Sequence, residues 1–212
     1  MQISWNGLGS FSIVSKPAQA DVTLVTNPFS TKEQKMKEQT ASLVVMSHDD
    51  KDANALSLVN AEHPEEGRKV FAIEHAGEFE VQGVFVTGVH APRKGGVRHA
   101  VYRIRSEGLN IAFLGALNRA LTNAEIEELG SIDIAIVPCG GGDVLGVKDA
   151  AELITALEPR VVIPSYVSSA DDGGTPPDAL AKELGLVPES VGKYKITRAQ
   201  LPQEEMKYVI LT

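Results

Sequence analysis

Between Lys69 and Leu114 the chain lays down five short β-prone runs in close succession, and this dense stretch most constrains what it can fold into. The runs are Lys69–Ile73, Glu78–Gln82, Val84–Gly88, His99–Ile104 and Asn110–Leu114, with hairpin turns supplied by Gln82-Gly83 and Ser106-Glu107-Gly108. Beyond Leu114 the pattern changes to strand–helix–strand. Thr122-Asn123-Ala124-Glu125 is a capping box whose helix Gly130 closes. Ile132–Pro138 and Arg160–Pro164 read as strands, and between them Val147–Leu157 has helical spacing that Glu158-Pro159 stops. Thr175-Pro176-Pro177-Asp178 starts a further helix that Gly185 ends, and Lys193–Thr197 and Lys207–Leu211 close the chain as strands. Upstream, Ile3–Trp5, Ser10–Ser15 and Asp21–Thr26 are strands. Lys32–Gln39 is an exposed turn or short helix, and the continuous apolar run Leu43–Met46 is a strand covered on both faces. A meander followed by strand–helix–strand units implies a layered α/β sandwich, here a single domain over residues 1–212.

The bulk properties exclude several function classes. A chain of 212 residues buries roughly 70% of its unfolded surface, so it needs neither a disulfide nor a metal as a staple. A net charge of -8 argues against a nucleic-acid backbone as partner, and aromatic residues at 5% leave little to stack on bases or sugars. No run approaches the ~20 apolar residues of a membrane span, and Met1–Trp5 lacks the marks of a signal peptide, so the expected location is the cytoplasm. The single cysteine, Cys139, ends an apolar run and reads as a small buried hydrophobe rather than a nucleophile.

Chemistry concentrates after the Leu43–Met46 run, in Ser47-His48-Asp49-Asp50-Lys51-Asp52, a strand-end loop rich in donors and acceptors. Its plain reading is a solvated turn with its own lysine counterion, in which His48 bonds within the loop and Asp52 caps a short helix over Asn54–Val59. Neither Ser10 nor Ser47 has an evident His–Asp partner set, so a serine-hydrolase mechanism finds no support. Pro138-Cys139-Gly140-Gly141-Gly142-Asp143 is a glycine turn that either presents N–H groups to an anion or shapes a loop. Arg93, Lys94 and Arg98 flank Gly95-Gly96 in a small basic loop, suited to a phosphate or acidic partner, or simply an exposed hairpin tip.

Several phrases, in order, carry a resemblance. Ile3-Ser4-Trp5-Asn6-Gly7-Leu8 is an opening strand and turn. Val25-Thr26-Asn27-Pro28-Phe29 resembles an "(I/T)DPF" segment with Asn27 at the Asp. His75-Ala76-Gly77-Glu78-Phe79-Glu80-Val81 resembles "GPGEYEV" and runs on into Val84–Gly88. Ile163-Pro164-Ser165-Tyr166 resembles a late "IPMHY". Together they are similar to the metallo-β-lactamase superfamily, in its compact bacterial branch that includes the ascorbate-6-phosphate lactonase type. The resemblance implies an αββα four-layer sandwich of two mixed sheets flanked by helices. It also implies a Ser-His-x-His-x-Asp-His loop holding one or two ions that activate water.

Against that pattern, His48 and Asp52 stand at family positions, Asp50 replaces the second His, and Ala53 the third. Arg93 aligns with the next His, and a loop shift would bring in His90 instead. Ala116 sits at the bridging Asp and Tyr166 at the last His. Ala has no donor atom, and Tyr ligates poorly unless ionised near its unperturbed pKa of ~10. A dinuclear zinc centre is therefore not expected. The first expectation is no cofactor; the alternative is one divalent ion, Mn, Mg or Zn, on His48, Asp50 and Asp52, since carboxylates favour hard cations. The expected function is a non-catalytic or diverged binding or assembly protein. Its cleft, lined by His48, Asp50, Asp52, His90, Arg93, Ala116 and Tyr166, would take an anionic small molecule. The alternatives are a residual metal-dependent hydrolase of phosphoesters or lactones, and a protein acting only through a homo-oligomeric interface.

Overall fold

In the amino-terminal half, short apolar alternations with tight turns build strands. In chain order these are β1 (Gln2–Gly7), β2 (Ser10–Ser15), β3 (Val22–Thr26), β4 (Gln39–Ala41), β5 (Leu43–Val45), β6 (Val59–Ala61) and β7 (Phe71–Ile73). The carboxy-terminal half adds β8 (Gly77–Val81), β9 (Val84–His90), β10 (Ala100–Ser106), β11 (Leu109–Phe113), α1 (Asn123–Leu129), β12 (Ile134–Pro138) and α2 (Val147–Leu157). It ends with β13 (Val161–Ser165), α3 (Ala179–Glu183), β14 (Pro188–Val191), β15 (Tyr194–Lys195) and β16 (Lys207–Leu211). The computed structural model describes residues 1–62, 64–168 and 174–212.

Two mixed sheets face each other, in the orders β15-β1-β2-β3-β5-β7 and β14-β16-β13-β12-β11-β10-β9-β8, with a small β4-β6 ribbon beside them. Alternation decides which face each strand offers. Leu43 and Val45 of β5, Ile134 and Ile136 of β12, and Val161 and Ile163 of β13 point between the sheets. Ala135, Val137 and Val162 point the other way, into a second core. There they meet the apolar stripe of α2, Ala150, Leu153, Ile154 and Leu157, at the i, i+3, i+4, i+7 spacing of one helix face. Over the outer face of the first sheet, Val25 and Val44 are covered by Phe29, Met36, Leu58 and Val59. That layer is built from loop, the β4-β6 ribbon and a 3-10 turn at Leu56–Leu58.

Three departures from the sequence reading have simple causes. The run at Phe71–Ile73 leaves the meander and pairs parallel with β5 in the first sheet, because the long segment after Val45 provides the crossover that a parallel partner needs. The third helix begins at Ala179 rather than beside Thr175: the Thr175 hydroxyl donates to the Gly140 carbonyl at 2.8 Å instead of capping. Asp52 caps no helix, since the 3-10 turn starts at Leu56 with no side-chain cap and Asp52 is engaged elsewhere. Cys139 is fully buried, and burial pushes its thiol up to about 12, so it is packing, not a nucleophile. No helix is long and apolar enough to cross a membrane.

The Thr122 capping box is present: its side chain accepts from the Glu125 N–H, and Glu125 accepts from the Thr122 N–H at 2.7 Å. Arg119 forks onto the same carboxylate at 2.6 and 2.9 Å and also donates to the Pro92 carbonyl, fastening α1 to the loop that carries Arg93. The Arg119 hydrogen bond lowers the Glu125 pKa to about 2. Thr122→Ala should therefore lower the urea midpoint by an amount worth about 1 kcal/mol with an unchanged slope, whereas Thr122→Ser should not.

Candidate functional site

The strand ends of both sheets meet at one edge of the sandwich. There β3 delivers Asn27, β5 delivers Ser47 and His48, β13 delivers Tyr166, and β10 is preceded by His99. Asn27 and Tyr166 both have positive φ, at 36° and 55°. Asn tolerates that region, but for a bulky aromatic residue it is strained and needs support. Tyr166 finds support in its N–H, which donates to the Leu8 carbonyl at 3.1 Å. The glycine turn supplies more: a Cβ on Gly140 would lie 2.0 Å from the Tyr166 carbonyl oxygen, so only glycine lets the two backbones pass.

These positions create one continuous chain of hydrogen bonds. The Asn27 carboxamide clamps Ser47, accepting from its N–H at 2.8 Å and donating to its Oγ at 2.9 Å. Ser47 Oγ lies 2.9 Å from His48 Nδ1, and His48 Nε2 lies 2.8 Å from Asp52 Oδ1. The Tyr166 hydroxyl donates to Asp52 Oδ2 at 2.8 Å. Every group is satisfied when Ser47 donates to Nδ1 and His48 carries its proton on Nε2, a tautomer assigned from the network. Burial pulls the Asp52 carboxyl up, but the hydrogen bonds from His48 and the Tyr166 hydroxyl outweigh it and leave its pKa lowered. Burial first, and Asp52 second, push the Tyr166 hydroxyl well above its usual range, so Tyr166 stays a donor.

Behind the chain lies a residue that the sequence reading passed over. His99 is 1% exposed, its ring 5.9 Å from that of His48. Its Nδ1 bonds the Ala91 carbonyl at 3.1 Å, and its Nε2 is buried with no partner. Burial, then the nearby His48, lower its pKa to about 3, so the ring is neutral. Gly115 makes room for it: a Cβ there would sit 2.2 Å from Ser47 Oγ and 3.0 Å from His99 Nε2, and its φ is +55°.

The expected site residues divide. Asp50, Asp52, Arg93, Ala116 and Tyr166 line one cleft of about 580 Å³. His48 instead lines a separate cavity of about 330 Å³, and its Nε2 reaches Asp52 on the cleft wall. His90 is corrected: it ends β9 exposed, opposite Ala100, and lines neither cavity. The His48, Asp50 and Asp52 triple is corrected too. Asp50 accepts from the Lys51 N–H at 2.7 Å, and among the described residues no three His, Cys, Asp or Glu side chains gather to hold a metal. Ser47 does have the His–Asp partners it was thought to lack, but it is buried, at 2% exposed, and lines neither cavity, so it orients His48 rather than attacking a substrate. Of the residues missed, Asn27 had a visible signal in the altered "DPF" segment; His99 had none, because an opening strand residue looks the same whether it faces a core or a site.

Residues 2–166 match the family model of the β-lactamase superfamily domain. The chain belongs to the metallo-β-lactamase superfamily. A crystal structure from Thermotoga maritima, described as a candidate Zn-dependent hydrolase of this superfamily, superposes with a TM-score of 0.80 at 29% identity over 99% of this chain and 98% of that one. A Thermoplasma acidophilum protein named a metal-dependent hydrolase is 26% identical, covering 89% of this chain and 96% of its own. A Listeria welshimeri protein of the same designation is 27% identical over 80% and 86% of the two chains. The α/β sandwich of two mixed sheets expected for this superfamily is therefore established, with loop, the β4-β6 ribbon and a 3-10 turn forming the layer over the first sheet.

These names overturn the expectation that no cofactor belongs here, since metal dependence is what the relatives are named for. The side chains of this superfamily member, however, do not fit a two-ion centre. The methyls of Ala53 and Ala116 offer no donor, and His48 Nε2, both Asp52 oxygens and the Tyr166 hydroxyl are spent on one another.

A pH dependence follows from Asp52. Its folded pKa lies below the reference of 3.8, so its interactions stabilise the fold above that value and are lost as pH falls through the lowered folded pKa. Asp52→Asn should therefore flatten the acid limb of the stability curve. Tyr166→Phe should move the Asp52 carboxyl titration upward in a carbon-detected NMR experiment; an unmoved titration would break the link between them.

Proposed function

We propose that this superfamily member is diverged, its strand-end loop no longer building the two-ion centre and its cleft binding a small anionic molecule. The observation that carries this reading is the closed chain from Asn27 to Tyr166. It engages His48, Asp52 and Tyr166 with one another, so that the Asp52 anion is met by hydrogen-bond donors where the family implies a cation. Arg93 and Lys51 line the cleft as positive groups. Arg93 donates to the Asp143 carbonyl, while its Nε is buried without an acceptor, and it has no carboxylate partner among the described residues. Asp50 and Asp143 line the same cleft, so a ligand with one negative charge and hydroxyl groups for those carboxylates to accept from suits it better than a polyanion.

The names of the relatives favour a second reading: hydrolysis of a phosphoester or lactone with one divalent ion, Mn, Mg or Zn. Elemental analysis of purified protein, with and without added Mn or Zn, separates the two readings. Calorimetric titration with gluconate and with inorganic phosphate supplies the binding arm. The binding reading expects gluconate to bind, with affinity cut roughly tenfold by Arg93→Ala. Stoichiometric metal that is lost on Asp52→Ala, accompanied by hydrolysis of a phosphoester or lactone, would establish the second reading instead.

A further inference from the structure

The cavity of about 330 Å³ is lined by Met46, His48, Asp49, Asn54, Leu56, Glu74 and Arg98 and shares no lining residue with the cleft. Its size lies within the roughly 300–1,000 Å³ of small-molecule sites. We propose that this cavity is a second ligand site, for a small zwitterion carrying an ammonium group, a carboxylate and an apolar body, of the class of a free apolar amino acid.

Each part of that ligand answers to a named group. The Arg98 guanidinium spends one N–H on the Glu74 backbone carbonyl at 3.1 Å, which anchors the head and leaves the rest of its fork for a carboxylate. The Glu74 carboxylate has no ion-pair or hydrogen-bond partner among the described residues. Asp49 is oriented by the Asn54 amide, which donates to Oδ1 at 2.8 Å. Two carboxylates against one guanidinium leave the wall net negative, so a bare anion is repelled and an ammonium group is attracted. A bare metal cation fits poorly, since among the described residues no three potential ligands gather here. Met46, at 4% exposed, and Leu56 supply an apolar surface for the body of the ligand. The reading is independent of what the cleft binds, because the charges that define the two cavities are different residues.

The site also touches the cleft indirectly. His48 lines this cavity, and its Nε2 holds Asp52, which lines the other. A ligand against the imidazole is thus one residue away from the cleft wall.

Calorimetry with L-leucine, 3-methylbutanoate and 3-methylbutylamine on the intact protein tests the proposal. L-leucine should bind, and each single-charge analogue should bind roughly tenfold or more weakly. Arg98→Gln and Glu74→Gln should each weaken L-leucine by a similar factor, while Arg93→Ala, in the cleft, should leave it unchanged. Both cavity substitutions lie on exposed side chains, so folding is checked by an unchanged thermal midpoint. The proposal is overturned if L-leucine fails to bind at millimolar concentration, if the amine alone binds equally well, or if Arg98→Gln has no effect.

Discussion

One carboxylate organises the site. Asp52 is a negative charge half withdrawn from water, and such a group persists only where donors or a cation surround it. Here the donors are His48 Nε2 and the Tyr166 hydroxyl, and each is held in turn: His48 by Ser47, Ser47 by Asn27, and Tyr166 by the Leu8 carbonyl. The strained backbones of Asn27 and Tyr166 and the obligatory glycines at 115 and 140 all serve to aim these groups. In this chain His48 Nε2 and the Tyr166 hydroxyl meet that carboxylate, while the cationic groups of Lys51 and Arg93 line the cleft.

Much of the fold was legible from the residues. Ser10–Ser15, Val147–Leu157 and Lys207–Leu211 appear with the expected bounds, because alternation, an amphipathic stripe and flanking turns all agree there. Phe71–Ile73 was placed in the wrong sheet, because a short β-prone run carries no record of its partner; pairing is decided by crossover length and by which edge is free. The strands at Gln39–Ala41 and Val59–Ala61 were missed, since three polar-flanked residues lack any period to read.

The candidate site was legible only in part. Ala53 and Ala116 show directly that no donor stands at those positions. How Asp52 is engaged is invisible to spacing, because Asp52 and Tyr166 meet across 114 residues of chain. The same holds for His48, whose imidazole was expected on the cleft but forms the wall of a different cavity. Neighbouring residues in one loop part company when the backbone turns, as Asp49 and Asp50 also do on opposite sides of it.

The Tyr166 backbone has a consequence for assembly of the molecule. Its N–H seizes the first hairpin turn at Leu8, while its hydroxyl reaches the loop that follows β5 of the first sheet. One residue at the end of a second-sheet strand therefore bolts both halves of the sandwich together. Neither half, folded by itself, contains a complete cleft. Bringing together groups of such long sequence separation costs loop-closure entropy, which the contacts of the docked sheets offset. The cleft is thus a product of the docked sandwich as a whole, complete only when both sheets are in place.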